Sequence, residues 1–431
     1  MRRLLAPTAG LRKPIVRAGI GLLVLLFGLS LSFIQTALPI ILNLGKLWNG
    51  FIERWVGIDR AAQFNHVLGG VCLVLGFYLA FTGLRSLQRR FYQVMAPASR
   101  SDKIVNTFVR RQQLSAGPRI VAMGGGTGLS TLLRGLKHHT SNITAIVTVT
   151  DDGGSSGRLS REMGIVPPGD MRNCLVALAD AEKLMTDLFQ HRFAKAKGSL
   201  AGHSIGNLLI AGLVEQADGD LDRALAMASE VLNIRGRVLP STTQTVRLRA
   251  LMDDGSEVCG ETTIVAAGKR IRRIYLDPMD VAPFPDASTA IEEADMIIIG
   301  PGSVFTSVIP NLLIPGMADA VHNAKAVKAY VCNVMTQPGE SDSFTAAEHV
   351  TAIQANVDRR IFDHVLVNTG RPTQGTVDKY RNSDQYVVEA DVERIRALGF
   401  RVVSGNFMNE MDYVRHDPLK VAARLMDVLN A

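Results

Sequence analysis

Several stretches of this chain combine glycine, hydroxyl and charged residues at spacings suited to holding a phosphorylated ligand. Gly124-Gly125-Gly126-Thr127-Gly128 follows an apolar segment and precedes Leu129, Leu132, Leu133 and Leu136, spaced as on one face of a helix. Glycines let backbone amides approach a phosphate closely, and the start of a helix carries partial positive charge. Gly125, Gly126, Thr127 and Gly128 are therefore candidate phosphate-binding residues. The glycine spacing departs from G-x-G-x-x-G, and a tight turn without a ligand accounts for it equally well when it is taken alone.

A second stretch, Thr150-Asp151-Asp152-Gly153-Gly154-Ser155-Ser156-Gly157-Arg158, follows the apolar run Ile143 to Val149. Asp151 sits where a dinucleotide-binding fold places the acid that meets a ribose hydroxyl. Ser155, Ser156 and Arg158 supply donors for phosphate oxygens, and Asp151 with Asp152 is a candidate pair for Mg²⁺. Turn formation and helix capping are the alternative for the two aspartates. If Arg158 grips phosphate, Arg158→Ala weakens binding without unfolding the domain.

Further polar helix starts follow. Asp170, after Pro167-Pro168-Gly169, is read as a helix N-cap and a candidate ligand or cation contact, with Arg172 and Asn173 in the first turn. His203 and Asn207 lie in Gly202-His203-Ser204-Ile205-Gly206-Asn207, again at a helix start. Gly302, Ser303 and Thr306 follow the buried-type strand Met296 to Ile299.

The elements that must position these residues alternate. Strands are predicted over Arg119 to Met123, Ile143 to Val149, Met296 to Ile299, Val327 to Val334 and Val365 to Asn368, with helical stretches between them. That pattern predicts an α/β, Rossmann-like fold with a mostly parallel sheet and helices on both faces. Ligands then bind beyond the carboxyl ends of the strands, where the polar loops would converge.

The N-terminal region reads differently. Ala18 to Leu44 and Val67 to Leu84 contain no charged residue, and each is long enough to cross ~30 Å of hydrocarbon as a helix. Basic residues before the first and after the second predict a two-helix hairpin over residues 1–90, with both termini and the large domain on the cytoplasmic side of a multi-pass cytoplasmic-membrane protein. Gly45 to His66 would be the connecting loop, and residues 91–117 a linker to a nucleotide-binding domain over 118–431. The lack of charge inside the spans favours anchoring over transport.

Residues 1–118 carry 15 Lys and Arg against three acids, whereas the remainder holds 32 basic and 37 acidic residues. The high isoelectric point thus belongs to the N-terminal region, and no nucleic-acid partner is expected. Cys72, Cys174, Cys259 and Cys332 lack metal or redox spacing and are read as buried, inert thiols.

Together, GGGTGLSTLLRGLK, TDDGGSSGRL, PPGDMRN, GHSIGN, GPGSVFTS and CNVMTQPGE resemble the gluconeogenesis factor family, the YvcK-like proteins, which are relatives of 2-phospho-L-lactate transferase in the CofD-like superfamily. The resemblance runs from about Arg119 to the C-terminus. It implies binding of a UDP-sugar such as UDP-N-acetylglucosamine and a regulatory role in cell shape and cell-wall and carbon metabolism. Phe305 stands where such relatives often have tyrosine. The alternative is a phosphotransferase resembling the phospholactate enzymes, which work with Mg²⁺. A protein partner is implied but not identified by the sequence, and self-association is left open. An NAD-dependent oxidoreductase is disfavoured, because the loop after Asp151 suits phosphate oxygens better than a nicotinamide ring.

Overall fold

The structure is a computed structural model that describes residues 38–61, most of 63–82, and 112–180, 182–193, 198–410 and 414–431. The chain divides into two compact units, residues 1–105 and 106–431.

In the first unit, a helix spans Leu38–Val56. The expected connecting loop is therefore largely helical, because Leu38 to Val56 holds neither a proline past its first turn nor a glycine pair to stop it. The helix ends before Gly57, whose φ of +87° leaves the helical region. Leu44, Leu47, Phe51 and Trp55 are exposed along it. Among the described residues no single helix is long and apolar enough to cross a membrane. The expected first span lies mostly outside the described residues, and the second is described only in part, where it is helical. Most of the expected linker also lies outside them.

The second unit is built on a seven-stranded parallel sheet. Its strands are β1 (Ile120–Gly124), β2 (Ile143–Val147), β3 (Arg237–Pro240), β7 (Met296–Ile299), β8 (Val327–Val331), β9 (His364–Asn368) and β10 (Arg401–Gly405), in the order β10-β9-β8-β7-β1-β2-β3. All five residues of β1 and all four of β7 are buried, as expected for strands covered by helices on both faces. Ile120 pairs with Ile143 on one side and Met296 on the other. Successive connections run outward from β1 in one direction and from β7 in the other, so the strand order reverses between them. A crevice opens at such a point, beyond the carboxyl ends of the strands.

β2 and β8 end two and three residues earlier than the apolar runs suggest, releasing Thr148 to Thr150 and Cys332 to Val334 to loop over that edge. An antiparallel sheet absent from the sequence-based reading, β4 (Arg247–Met252), β5 (Glu257–Cys259) and β6 (Ile271–Asp277), is inserted between β3 and β7. Near the C-terminus β11 (Met408–Glu410) and β12 (Val414–His416) form a short antiparallel pair.

Candidate functional site

The helix Gly126–Leu136 starts directly after β1, with Gly125 extended at its N-cap and no side chain capping its amides. Those amides face the crevice. Opposite them, Pro301 to Ser303 leads from β7 into a turn, Val304–Val308, whose first bonds run to Ser303 C=O from both Ser307 N–H and Val308 N–H, each 2.9 Å. The wider i→i+5 pairing is rare and is frequently found at functional sites.

The two loops approach so closely that a Cβ on Gly128 would lie 2.4 Å from Pro301 O. Asn311 bridges them, donating to Gly124 O at 3.2 Å and Ser307 O at 2.7 Å. Asn333, just past β8, pairs with both backbone groups of Gly302, and Gln337 Nε2 donates to Ser303 Oγ at 2.6 Å. Asn311, Asn333 and Gln337 thus fix the spacing of the two loops.

The result is a cleft of about 570 Å³. Of the residues expected from the sequence, Gly125, Gly126, Thr127, Gly128, Asp151, Asp170, Gly302 and Ser303 line it. Thr306 lies beneath, its hydroxyl donating to Glu340 Oε1 at 3.0 Å. Phe305 is in the core against Phe344.

The remaining expected residues gather elsewhere. Ser155 Oγ bonds His203 Nδ1 at 2.9 Å and accepts from Asn207 Nδ2 at 3.0 Å. Arg172 donates to Ser204 Oγ, Asn207 Oδ1 and Asn173 Oδ1. Burial, then Arg192, lowers the pKa of this guanidinium. Ser156 Oγ accepts from Gly169 N–H, and Arg158 donates to Ala201 O at 2.6 Å. This cluster knits together the starts of the helices Gly154–Met163, Gly169–Leu178 and Ile205–Gln216, and none of its members lines the cleft. Local sequence could not distinguish a hydroxyl aimed at a ligand from one aimed at the next helix.

Two expectations for carboxylates change. Asp170 is not an N-cap: Pro168 is, and the helix begins at Gly169. The Pro-Pro pair favours entering the helix one residue earlier, because proline φ already suits a first turn. Asp170 Oδ2 instead reaches over Gly125, where a Cβ would lie 2.5 Å away. Asp151 and Asp152 part company: Asp151 faces the cleft, while Asp152 Oδ1 accepts from Thr262 N–H and Oγ1, at 2.9 and 2.6 Å.

Glu261, Tyr380, Gln385, Arg415 and His416 also line the cleft and had not been singled out from the sequence. Glu261 arrives on the helix Glu261–Ala266 of the inserted antiparallel unit, and Arg415 and His416 on β12. Tyr380 is fixed by accepting Val414 N–H on its hydroxyl at 2.8 Å. His416 is buried, which lowers its pKa to about 4 and keeps the ring neutral near pH 7.

The acids repel one another. Burial, followed by the charges of Asp151 and Asp170, pushes Glu261 up to about 9. Burial and then Asp151 raise Asp170 to about 6, against the Gly126 N–H and Arg172. Burial lifts Glu340 to about 7, opposed by Thr306 and Ser303. Among the described residues no three His, Cys, Asp or Glu side chains could hold a metal ion together.

These shifts predict a pH-dependent stability. A carboxyl whose folded pKa lies above its unfolded value near ~4 binds more protons when folded, so stability falls as pH rises through the folded value. Melting temperature should decline between pH 5 and about 9. Glu261→Gln should remove on the order of 2 kcal/mol of that decline, a figure reduced for solvent at this half-buried group. An unchanged slope in Glu261→Gln would show that Glu261 takes up no extra proton on folding.

Residues 120–408 match the family described as 2-phospho-L-lactate transferase CofD. A gluconeogenesis factor from Bacillus subtilis is 49% identical over 72% of this chain and 98% of its own length. A Nostoc protein assigned provisionally as a gluconeogenesis factor is 44% identical over 98% of this chain and 91% of its own. The N-terminal region therefore has a counterpart in the Nostoc protein. The crystal structure of a UPF0052 family member from Bacillus halodurans superposes with a TM-score of 0.69, at 47% identity over 72% of this chain and 99% of that one.

Proposed function

The chain belongs to the gluconeogenesis factor family, on a CofD-like domain, and from that premise we propose that its cleft binds the diphosphate of a UDP-sugar such as UDP-N-acetylglucosamine. The observation that carries this reading is the meeting of two phosphate-type loops, Gly125 to Gly128 and Gly302 to Ser303, in one cleft that Arg415 also lines. Uncapped amides at a helix start suit one phosphate, and a guanidinium can grip another with two parallel bonds. Tyr380 and Gln385 supply a ring face and an amide for the rest of the ligand. In this proposal occupancy of the cleft regulates a protein partner in cell shape, cell-wall and carbon metabolism.

Asp151, with Asp170 rather than Asp152 as its companion, would hold a Mg²⁺ ion that also meets the phosphates. Both line the cleft beside the glycine loop, and such an ion binds through one or two carboxylates plus phosphate oxygens. The same grouping favours the second reading, group transfer resembling the phospholactate enzymes, since an ion there would neutralise charge on a transferred group. Mass spectrometry of domain incubated with UDP-sugar and Mg²⁺ separates the readings: intact ligand supports regulation, and product supports transfer.

The binding reading is tested by melting the protein with UDP-N-acetylglucosamine and Mg²⁺. A ligand at ~100 times its Kd adds about 2.7 kcal/mol to stability. A saturable rise in melting temperature is expected, and none with the free sugar. A rise with the free sugar alone, or none with any nucleotide diphosphate, would count against it.

We further propose that residues 1–90 anchor the chain in the cytoplasmic membrane with both termini cytoplasmic. The basic flanks and the uncharged stretches support this orientation. Reporter fusions at the two ends should both be active only inside the cell; activity outside at either end would rule out the hairpin.

A further inference from the structure

A second cavity, about 500 Å³, opens at the same carboxyl edge of the parallel sheet, on the β2 and β3 side of Asp151. Its walls come from three places: the loop after β2, the helix Gly154–Met163, and the antiparallel unit at the start of β4 and the end of β5. Arg161 and Arg247 both line it. Among the described residues the Arg247 guanidinium makes no hydrogen bond or ion pair, and that of Arg161 makes one, from Nη1 to Asp152 O at 3.2 Å. Ser160 and Thr245 add hydroxyls.

Asp151 and Asp152 bring carboxylates to the same cavity. Asp152 Oδ2 is admitted by Gly260, where a Cβ would lie 2.5 Å from it and where φ is +96°. The lining is thus neither purely basic nor apolar. Two guanidiniums match an anionic group by paired N–H bonds, whereas carboxylates need a donor from the ligand, and a hydroxyl provides one. A bare anion would meet the carboxylates unfavourably, and a neutral polyol would leave Arg247 unmatched.

We propose that this cavity is a second small-molecule site, separate from the nucleotide cleft, that takes a hydroxylated anion: a polyol phosphate or a hydroxy acid. Its anionic group sits between Arg161 and Arg247, and its hydroxyls donate to Asp151 and Asp152. Because Asp151 lines both cavities, the two ligands would lie on either side of one carboxylate.

Cys259 offers a direct readout, since it lines the cavity and is exposed, whereas Cys174 and Cys332 are buried. The full chain carrying Cys72→Ser is labelled with N-ethylmaleimide in the presence of sn-glycerol 3-phosphate or of glycerate. At ten times the half-protecting concentration, labelling should slow about tenfold. Protection by the phosphate alone, by the carboxylate alone or by both identifies the anion within the proposed class. The Arg161→Gln/Arg247→Gln variant should melt as the parent does and keep its response to UDP-N-acetylglucosamine, but lose the protection. The proposal is overturned if neither compound protects at millimolar concentration, or if protection survives in the double variant. It is also overturned if UDP-N-acetylglucosamine protects Cys259 and Arg415→Ala abolishes that effect, because the cavity would then be part of the nucleotide cleft.

Discussion

Gly128→Ala should weaken UDP-sugar binding by roughly 10- to 150-fold, the loss of a charge-assisted hydrogen bond of about 1.5–3 kcal/mol as the loops separate. The added Cβ would meet Pro301 O at 2.4 Å, Pro301 C at 2.8 Å and Gly302 Cα at 3.1 Å. All three are backbone, so no side chain can swing aside, and the loop after β7 must retreat from the helix Gly126–Leu136. Overpacking of this kind also costs about 1–3 kcal/mol of stability. Gly212→Ala is the matching control. Nothing lies within 4 Å of its Cβ position and it is exposed within the helix Ile205–Gln216, so alanine there should stabilise by about 0.5–1 kcal/mol. Calorimetric titration and melting of both variants check the pair. Full affinity in Gly128→Ala would mean that the spacing of the two loops does not matter to the ligand.

Arg415→Ala should cost about 2–3 kcal/mol of binding, or roughly 30- to 150-fold in Kd. Arg415 is exposed on β12 at the cleft, so truncation removes a charged donor without opening the core. Arg415→Lys should recover only part of the affinity, because an ammonium cannot reproduce the paired donors of a guanidinium. Calorimetry with UDP-N-acetylglucosamine distinguishes this from a general charge effect: equal affinity in the lysine and arginine forms would reduce Arg415 to a point charge. By contrast Arg158→Ala, expected from the sequence to weaken binding, removes a donor to Ala201 O outside the cleft. It should leave the Kd close to that of the parent.

Much of the architecture was legible in the sequence because its main signals are local. The apolar runs of β1 and β7 and the glycines that follow them identify strand, turn and helix within a few residues, and alternation of such units leaves little choice but a parallel sheet. The same locality explains the errors. Asp151 and Asp152 carry the same side chain one position apart, yet one faces the cleft and the other fastens Thr262 of the inserted unit. Arg172 and His203 sit at helix starts of the kind that bind anions, but here those starts face each other and satisfy one another. Glu261 and Arg415 are brought in over long sequence separations by β5 and β12, and nothing in their immediate neighbours marks them. Cys259, expected to be buried, ends a short exposed strand instead.

The helix at Leu38–Val56 shows a related limit. Hydropathy located an apolar stretch ending at Leu44, but Lys46, Glu53 and Arg54 do not interrupt a helix, so the element continues past the end of the uncharged run. Charge marks where a segment stops being apolar, not where its backbone hydrogen bonds stop.

A crystal structure of the protein with UDP-N-acetylglucosamine and Mg²⁺ tests most directly where a diphosphate binds. The diphosphate should lie against the amides of Gly126 to Gly128, across from Arg415, with the ion between phosphate oxygens and Asp151. Density for the nucleotide away from the crevice between β1 and β7, with the Gly125 to Gly128 amides untouched, would contradict it.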